Sequence, residues 1–223
     1  MNNLANIFSK DRVAIFNDAV IAIAITLLVL EVRPQLSGAL TNNDVWLEMR
    51  RLLPALLSLT FSFWTISRLW IGNLQFFKAI RVMDLTTLQY NLLFLFIIAL
   101  LPFSSEVLAS THLMAATASI YGGTVAIASL VEAAMWNRLL HSELREVGTS
   151  ELAVFYRVLQ YEVSGLIFAI SIPLAFISPY ISVAVWITLG FTRLFNERSA
   201  ESIRKFEDHF THRRTRAQTL RDV

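Results

Sequence analysis

The sequence contains no cysteine and few charged residues. Of its 223 residues only 16% are charged, whereas 55% are hydrophobic and the mean hydropathy is +0.55. Without cysteine the chain has no disulfide, thiolate metal site or cysteine nucleophile. Soluble domains are about one-quarter charged, so this composition argues against a soluble domain. It predicts an integral membrane protein with enough apolar residues for about six spans of about 20 residues each.

Apolar runs bounded by charged residues or proline predict transmembrane helices. The predicted spans are residues 13–33, 48–76, 85–109, 113–139, 152–177 and 180–195. No small-residue cleavage site follows the first run, so we expect a retained helix and not a signal peptide. The sequence therefore predicts an all-α membrane protein, with a six-helix transmembrane domain at 1–195 and a cytoplasmic C-terminal tail at 196–223.

Lysine and arginine are distributed unevenly among the predicted loops. They precede span 1 and occupy the loops after spans 2 and 4 and the tail, whereas the loops after spans 3 and 5 have none. The first loop departs from this pattern, with Arg33, Arg50 and Arg51. By the positive-inside rule both termini are expected in the cytoplasm. In the tail, His209 and His212 lack further ligands at metal-binding spacing, so no metal site is expected.

The first span carries an acidic residue within the membrane. Its uncharged stretch, 19–30, corresponds to about 18 Å of helix, too short to cross about 30 Å of hydrocarbon. The helix must therefore run from about 12 to 33, which places Asn17 and Asp18 inside the membrane. A carboxylate there needs a partner or water. Two interpretations stay open: Asp18 anchors span 1 to its neighbours, or it binds an ion or proton.

Large apolar side chains form a stripe along span 1. At about 100° per residue, Ile23, Leu27 and Leu30 share one face of the helix. We call these three residues the apolar stripe. Asn17 and Asp18 point away from it. Such a row of large apolar side chains usually faces lipid or a packed neighbouring helix. Composition alone does not show whether the stripe faces one of these or a central axis.

The same span contains a long motif. It reads Arg12-x-x-x-Phe16-Asn17-Asp18, followed by an apolar segment that ends at Glu31. This motif resembles the Arg-x-x-x-Phe-Ser-Asp signature of the bacterial transmembrane protein 175 family, which are potassium channels related to the lysosomal potassium channel of animals. Asn17 stands at the serine position. An asparagine retains a short hydrogen-bonding group with different geometry.

The resemblance covers most of the six-span region. It continues through Trp70, Asp84, Asn91 and Leu101-Pro102-Phe103. Where family members often have two adjacent histidines after the tryptophan, this sequence has Asn73 and Leu74. A role that requires imidazole at these positions is therefore not expected.

The resemblance implies a homotetramer in which span 1 of each chain lines a central pore. It implies that Ile23, Leu27 and Leu30 form stacked hydrophobic rings, the pore constriction and gate. Such rings close a pore by excluding water and open when the helices separate. The motif residues are then structural anchors of span 1: Arg12, Phe16, Asn17 and Asp18.

Selectivity must come from side chains, because the carbonyl filter Thr-Val-Gly-Tyr-Gly is absent. Residues 121–125 contain similar letters in another order, and their small-residue spacing is typical of helix packing. Thr26, beside the stripe, is the candidate selectivity residue. Its hydroxyl either turns toward the axis in an open state or bonds its own backbone one turn back. We expect modest selectivity for potassium over sodium.

These observations favour a potassium-permeable cation channel in the bacterial inner membrane. Its expected partners are further copies of the chain, the lipid bilayer and permeant K⁺, with no cofactor, resident metal or nucleic acid. The alternative is a proton-coupled secondary transporter that uses Asp18. Transporters often have broken helices at the midplane, for which Pro173 is the single hint. No clustered His, carboxylate or Ser–His pair supports an enzyme.

Overall fold

The computed structural model describes residues 9–34, 41–111 and 113–189, which are almost entirely helical. The helices are α1 (Lys10–Leu27), α2 (Asn42–Ala79), α3 (Leu85–Ser110), α4 (Ala115–Leu140), α5 (Glu151–Ile177) and α6 (Pro179–Leu189). A 3₁₀ turn, Leu28–Glu31, continues α1. The first five helices are long and apolar enough to cross a membrane. The predicted all-α membrane fold is confirmed.

The sixth predicted span is described only in part. The helix α6 is shorter than the other five, and residues 190–195 lie outside the described part of the chain. The chain divides into two compact units, Met1–Ser182 and Val183–Val223, and the second is described only over 183–189. The predicted domain boundary at residue 195 and the predictions for the tail fall outside the described residues.

The helix α2 is longer than predicted. Hydropathy placed this span at 48–76, whereas the helix covers 38 residues. Its length is about 57 Å, nearly twice the hydrocarbon thickness. A capping box fixes its start: the Thr41 amide donates to Asp44 Oδ2 at 2.9 Å, and the Asp44 amide donates to Thr41 Oγ1 at 3.3 Å. Arg50 and Arg51, assigned above to the first loop, are exposed on this helix.

The helix α3 begins at a charged cap that also holds α4. The Asp84 carboxylate accepts a hydrogen bond from the Thr87 amide at 3.0 Å and forms an ion pair with Arg138. Burial acts to raise the pKa of the Asp84 carboxyl, but the hydrogen bonds from Arg138 and Thr87 outweigh it and lower the pKa below its usual value. Asp84 therefore stays ionised and joins the two helices.

Backbone hydrogen bonds and one lysine side chain join the chain segments at one end of the bundle. We call this end, where α1 begins, the proximal end, and the opposite end the distal end. An antiparallel bridge pairs Ile80 with Arg145, and the Arg81 amide donates to the Leu144 carbonyl at 2.7 Å. Lys10 Nζ donates to the Ile80 carbonyl at 2.7 Å. The α2–α3 turn, the α4–α5 loop and the start of α1 are thus tied together.

Part of the core lies where side chains of α2, α4 and α5 meet. The ring of Phe76 meets Trp136 edge-on, with 5.5 Å between ring centroids. Gly72 makes room for side chains from the other two helices: a Cβ there would lie 1.7 Å from Tyr161 Oη and 2.2 Å from Glu132 Oε1. These three residues are buried. Among the described helices, α1 packs against α2 and α3 only, at the edge of this core.

Candidate pore-lining helix

The helix α1 and its 3₁₀ extension have one face against the bundle and one face exposed. The buried side chains are Val13, Asn17, Ile21, Ala24 and Leu28. The side chains of the apolar stripe are on the other face: Ile23, Leu27 and Leu30 are 60%, 43% and 60% exposed, whereas Ile21 and Leu28 are 1% exposed. The stripe therefore points away from the chain's own core.

Asn17 belongs to a cluster of three buried asparagines, which we call the amide triad. Asn17 Nδ2 donates to Asn73 Oδ1 and to Asn91 Oδ1, both at 2.8 Å, and Asn91 Nδ2 donates back to Asn17 Oδ1 at 2.8 Å. Asn73 Nδ2 lies 3.4 Å from Asn91 Oδ1. Buried amides are costly unless they are hydrogen-bonded. The triad satisfies them and joins α1 to α2 and α3.

The contact of Asn73 with Asn17 was not predicted from the sequence. The absence of imidazole at this position predicted only the loss of a function, but the structure places the Asn73 amide against Asn17. These are two positions at which the sequence departs from the family pattern, and they contact each other. The signal that was available in the sequence is that both departures are asparagines, whose short amide side chains can hydrogen-bond to each other. Their pairing depends on the antiparallel alignment of α1 and α2.

Asp18 lies beside the triad but has a different partner. Its Oδ1 accepts a hydrogen bond from Trp70 Nε1 at 2.8 Å, at an exposed position. A polar donor from a neighbouring helix is what an intramembrane carboxylate requires. The contact fits the anchor interpretation of Asp18, because it ties α1 to α2 one helical turn from Asn73.

We expect Trp70→Phe to lower the free energy of unfolding by about 1–2 kcal/mol. The change removes the indole N–H that donates to the Asp18 carboxylate. Because the position is exposed, this hydrogen bond contributes less to stability than a buried bond to a carboxylate. Thermal unfolding of the purified protein in detergent measures the loss. The matched control is Trp64→Phe on the same helix, because the Trp64 ring packs tilted on Phe61 at 6.0 Å. An equal loss in both variants would contradict the role of the Asp18 bond.

The remaining predicted residues lie on the exposed side of α1. Thr26 Oγ1 donates to the Ile23 carbonyl at 2.9 Å, so its hydroxyl is bonded to its own backbone in this structure. The side chains of Arg12 and Phe16 are exposed. The structure thus brings Asn17 and Asp18 to partners within the chain and leaves Arg12 and Phe16 on the same side as the stripe.

A protein-family model matches this part of the chain. It is described as endosomal/lysosomal potassium channel TMEM175, and it covers residues 12–102, from the motif on α1 to Pro102 on α3. A potassium channel from Chryseobacterium sp. (strain P1-3) is 23% identical over 193 residues, which are 86% of this chain and 96% of that protein. The chain is therefore similar to the TMEM175 family over these residues.

Further relatives extend the similarity to most of the chain. A potassium channel from Streptomyces collinus is 27% identical over 194 residues, which are 83% of this chain and 92% of that protein. The crystal structure of a lysosomal potassium-selective channel TMEM175 homolog from Chamaesiphon minutus is 25% identical, with a TM-score of 0.73. It covers 84% of this chain and 97% of that chain. The resemblance inferred from the motif is confirmed.

Proposed function

We propose that this chain is a member of the TMEM175 family and that four copies of it form a potassium-permeable channel in the bacterial inner membrane, with α1 of each copy lining the pore. The observation that carries the proposal is the exposed apolar stripe on the helix that bears the family motif. The family model and the curated relatives are described as potassium channels. Among the described helices of one chain, α1 alone carries this motif and stripe, so several copies are needed to enclose a pore.

Hydrophobic rings would then form the gate. Around a fourfold axis, Ile23, Leu27 and Leu30 make stacked rings that offer an ion no replacement for its hydration shell. Each ring blocks ions by excluding water and conducts only when the four helices move apart. Ile23 is nearest the proximal end of the three, and we assign it the narrowest ring.

Selectivity would be modest in such a pore. Thr26 is the hydroxyl beside the stripe, and its hydrogen bond to the Ile23 carbonyl must break before it can face an ion. Four hydroxyls replace only part of a hydration shell. We therefore propose a preference for potassium over sodium that is weaker than that of a carbonyl filter.

The distribution of basic residues supports a cytoplasmic proximal end. At this end lie Lys10, Lys78, Arg81, Arg138 and Arg145. Cytoplasmic ends of membrane helices carry the excess of lysine and arginine. The arginines of the predicted first loop are the exception, and two of them lie on the extended start of α2.

The transporter alternative receives no support from the described helices. The helix α1 continues without a break past Asn17 and Asp18, and α5 continues past Pro173. Transporters typically use interrupted helices at the midplane to coordinate coupled ions. We therefore retain the channel as the proposal.

Ion flux from liposomes tests the proposal directly. We expect purified protein to release potassium from loaded liposomes electrogenically, without a coupled ion, and several times faster than it releases sodium. An ion-selective electrode follows both fluxes, and protein-free liposomes give the background. A flux that requires a proton gradient would contradict the channel and assign the protein to the transporters.

A further inference from the structure

Among the described residues, the side-chain hydrogen bonds between α1 and the rest of the bundle lie in the proximal part of α1. Lys10 bonds the Ile80 carbonyl, Asn17 is in the amide triad, and Asp18 accepts from Trp70. Hydrogen bonds are directional and weaken steeply when the donor and acceptor are displaced. The proximal part of α1 therefore has a fixed position relative to α2 and α3.

The distal part of α1 is held differently. Among its described side chains, Thr26 bonds only its own helix, and the buried contacts are made by Ile21, Ala24 and Leu28. The last turn, Leu28–Glu31, is a 3₁₀ helix. Apolar contacts are non-directional, so a helix held by them can shift without losing a specific bond.

We propose that the amide triad and the Asp18–Trp70 bond form a pivot, about which the distal part of α1 moves while the proximal part stays in place. The pivot is a property of one chain. Its use in opening a pore rests on the proposed function. The displacement of a rigid segment grows with distance from the pivot. Leu30, about 20 Å away along the helix, moves about twice as far as Ile23 at about 9 Å.

The absence of cysteine makes the chain a clean background for spin labels. Ile15, Ala22 and Val29 are seven residues apart on one exposed face, with Ile15 proximal to the pivot and the other two distal. Each of the three is replaced by cysteine in a separate variant that also carries Ile127→Cys. Ile127 lies at an exposed position on α4. Dilution with an excess of the cysteine-free chain leaves only distances within one chain for double electron–electron resonance.

The pivot predicts distance distributions that widen along the helix. We expect Ile15→Cys to give a narrow distribution, Ala22→Cys a wider one and Val29→Cys the widest. The spread added at Val29 should be more than twice that at Ala22, because the lever arms are about 17 Å and 7 Å. Equal widths at all sites would overturn the pivot, as would broadening at Val29 alone, which indicates local fraying of the 3₁₀ turn.

A variant that weakens the triad separates a pivot from simple packing. Asn73→Ala removes an acceptor for Asn17 and should broaden the Ile15→Cys distribution to the width seen at Ala22→Cys. Trp70→Phe cuts the second bond of the pivot and serves if Asn73→Ala does not fold. Asn137→Ala, at an exposed position on α4, is the control and should change nothing. A narrow Ile15→Cys distribution in the folded variant would overturn the pivot.

Potassium flux is measured on the same preparations without spin labels. The distances report on a single chain and do not depend on conduction or on assembly. Loss of flux with graded distance distributions would contradict the proposed channel, and flux with uniform distributions would contradict the pivot. The two failures are therefore distinguishable.

Discussion

Gly72→Ala is expected to lower the free energy of unfolding by about 3 kcal/mol or more. This is the largest loss expected among the Gly→Ala substitutions at Gly72 on α2, Gly123 on α4 and Gly165 on α5. The new Cβ would lie 1.7 Å from Tyr161 Oη and 2.7 Å from Tyr161 Cζ, in severe overlap with the tyrosine hydroxyl. It would also lie 2.2 Å from Glu132 Oε1. A rigid buried ring cannot rotate away as a flexible side-chain end can, so the helices themselves must separate.

Two other helical glycines give a graded set of controls. A Cβ at Gly123 would meet only Ile172 Cδ1 at 3.8 Å, an ordinary contact. Gly123→Ala should therefore be neutral or stabilising by up to about 1 kcal/mol, because alanine has the higher helix propensity. A Cβ at Gly165 would lie 2.6 Å from Leu130 Cγ, whose side chain can move, so Gly165→Ala should fall between the other two.

Thermal unfolding in detergent and the yield of monodisperse protein measure this series. The expected order of stability is Gly123→Ala above Gly165→Ala above Gly72→Ala. In the Gly72→Ala background, Tyr161→Phe should restore part of the loss, since it removes Oη but leaves the ring carbon too close. A Gly72→Ala protein as stable as Gly123→Ala would show that α2 does not approach Tyr161 and Glu132 as described.

Hydropathy predicted the buried parts of the helices well and their water-exposed ends poorly. The predicted span 85–109 and the observed helix α3 differ by one residue at the distal end. The start of α2 was missed by six residues, because its first turns are polar and are fixed by the Thr41–Asp44 capping box. Hydropathy reports how apolar a segment is, whereas a capping motif reports where the backbone becomes helical. The polar first turns of a helix are therefore missed when the helix is predicted from hydropathy alone.

The exposed face of α1 was predictable, but the contacts of this helix were not. Helical periodicity placed Ile23, Leu27 and Leu30 on one face, and the structure exposes that face. Periodicity also grouped Asn17 with Asp18, yet the two bind different partners, the triad and Trp70. Those partners are more than 50 positions away, and only the alignment of packed helices determines which amides meet.

Ile23→Ala is expected to raise potassium flux about tenfold or more without destabilising the chain. A tenfold rise in flux requires the free-energy barrier to ion passage through the pore to fall by only about 1.4 kcal/mol. Four isoleucine side chains shortened to methyl groups widen the proposed ring and allow water to enter it. Ile23 is 60% exposed in the single chain, so its truncation leaves no cavity within the bundle.

Ile21→Ala is the matched control, an isoleucine two positions away on the opposite face. Ile21 is 1% exposed, and its truncation should cost about 2–5 kcal/mol of unfolding free energy with no rise in flux per folded channel. Liposome flux and thermal unfolding, measured on both variants, separate the pore face from the packed face. Unchanged flux in a folded Ile23→Ala protein would remove Ile23 from the gate, and the same experiment at Leu27 and Leu30 would then locate the narrow ring. If none of the three raised flux, the stripe would face lipid and α1 would not line the pore.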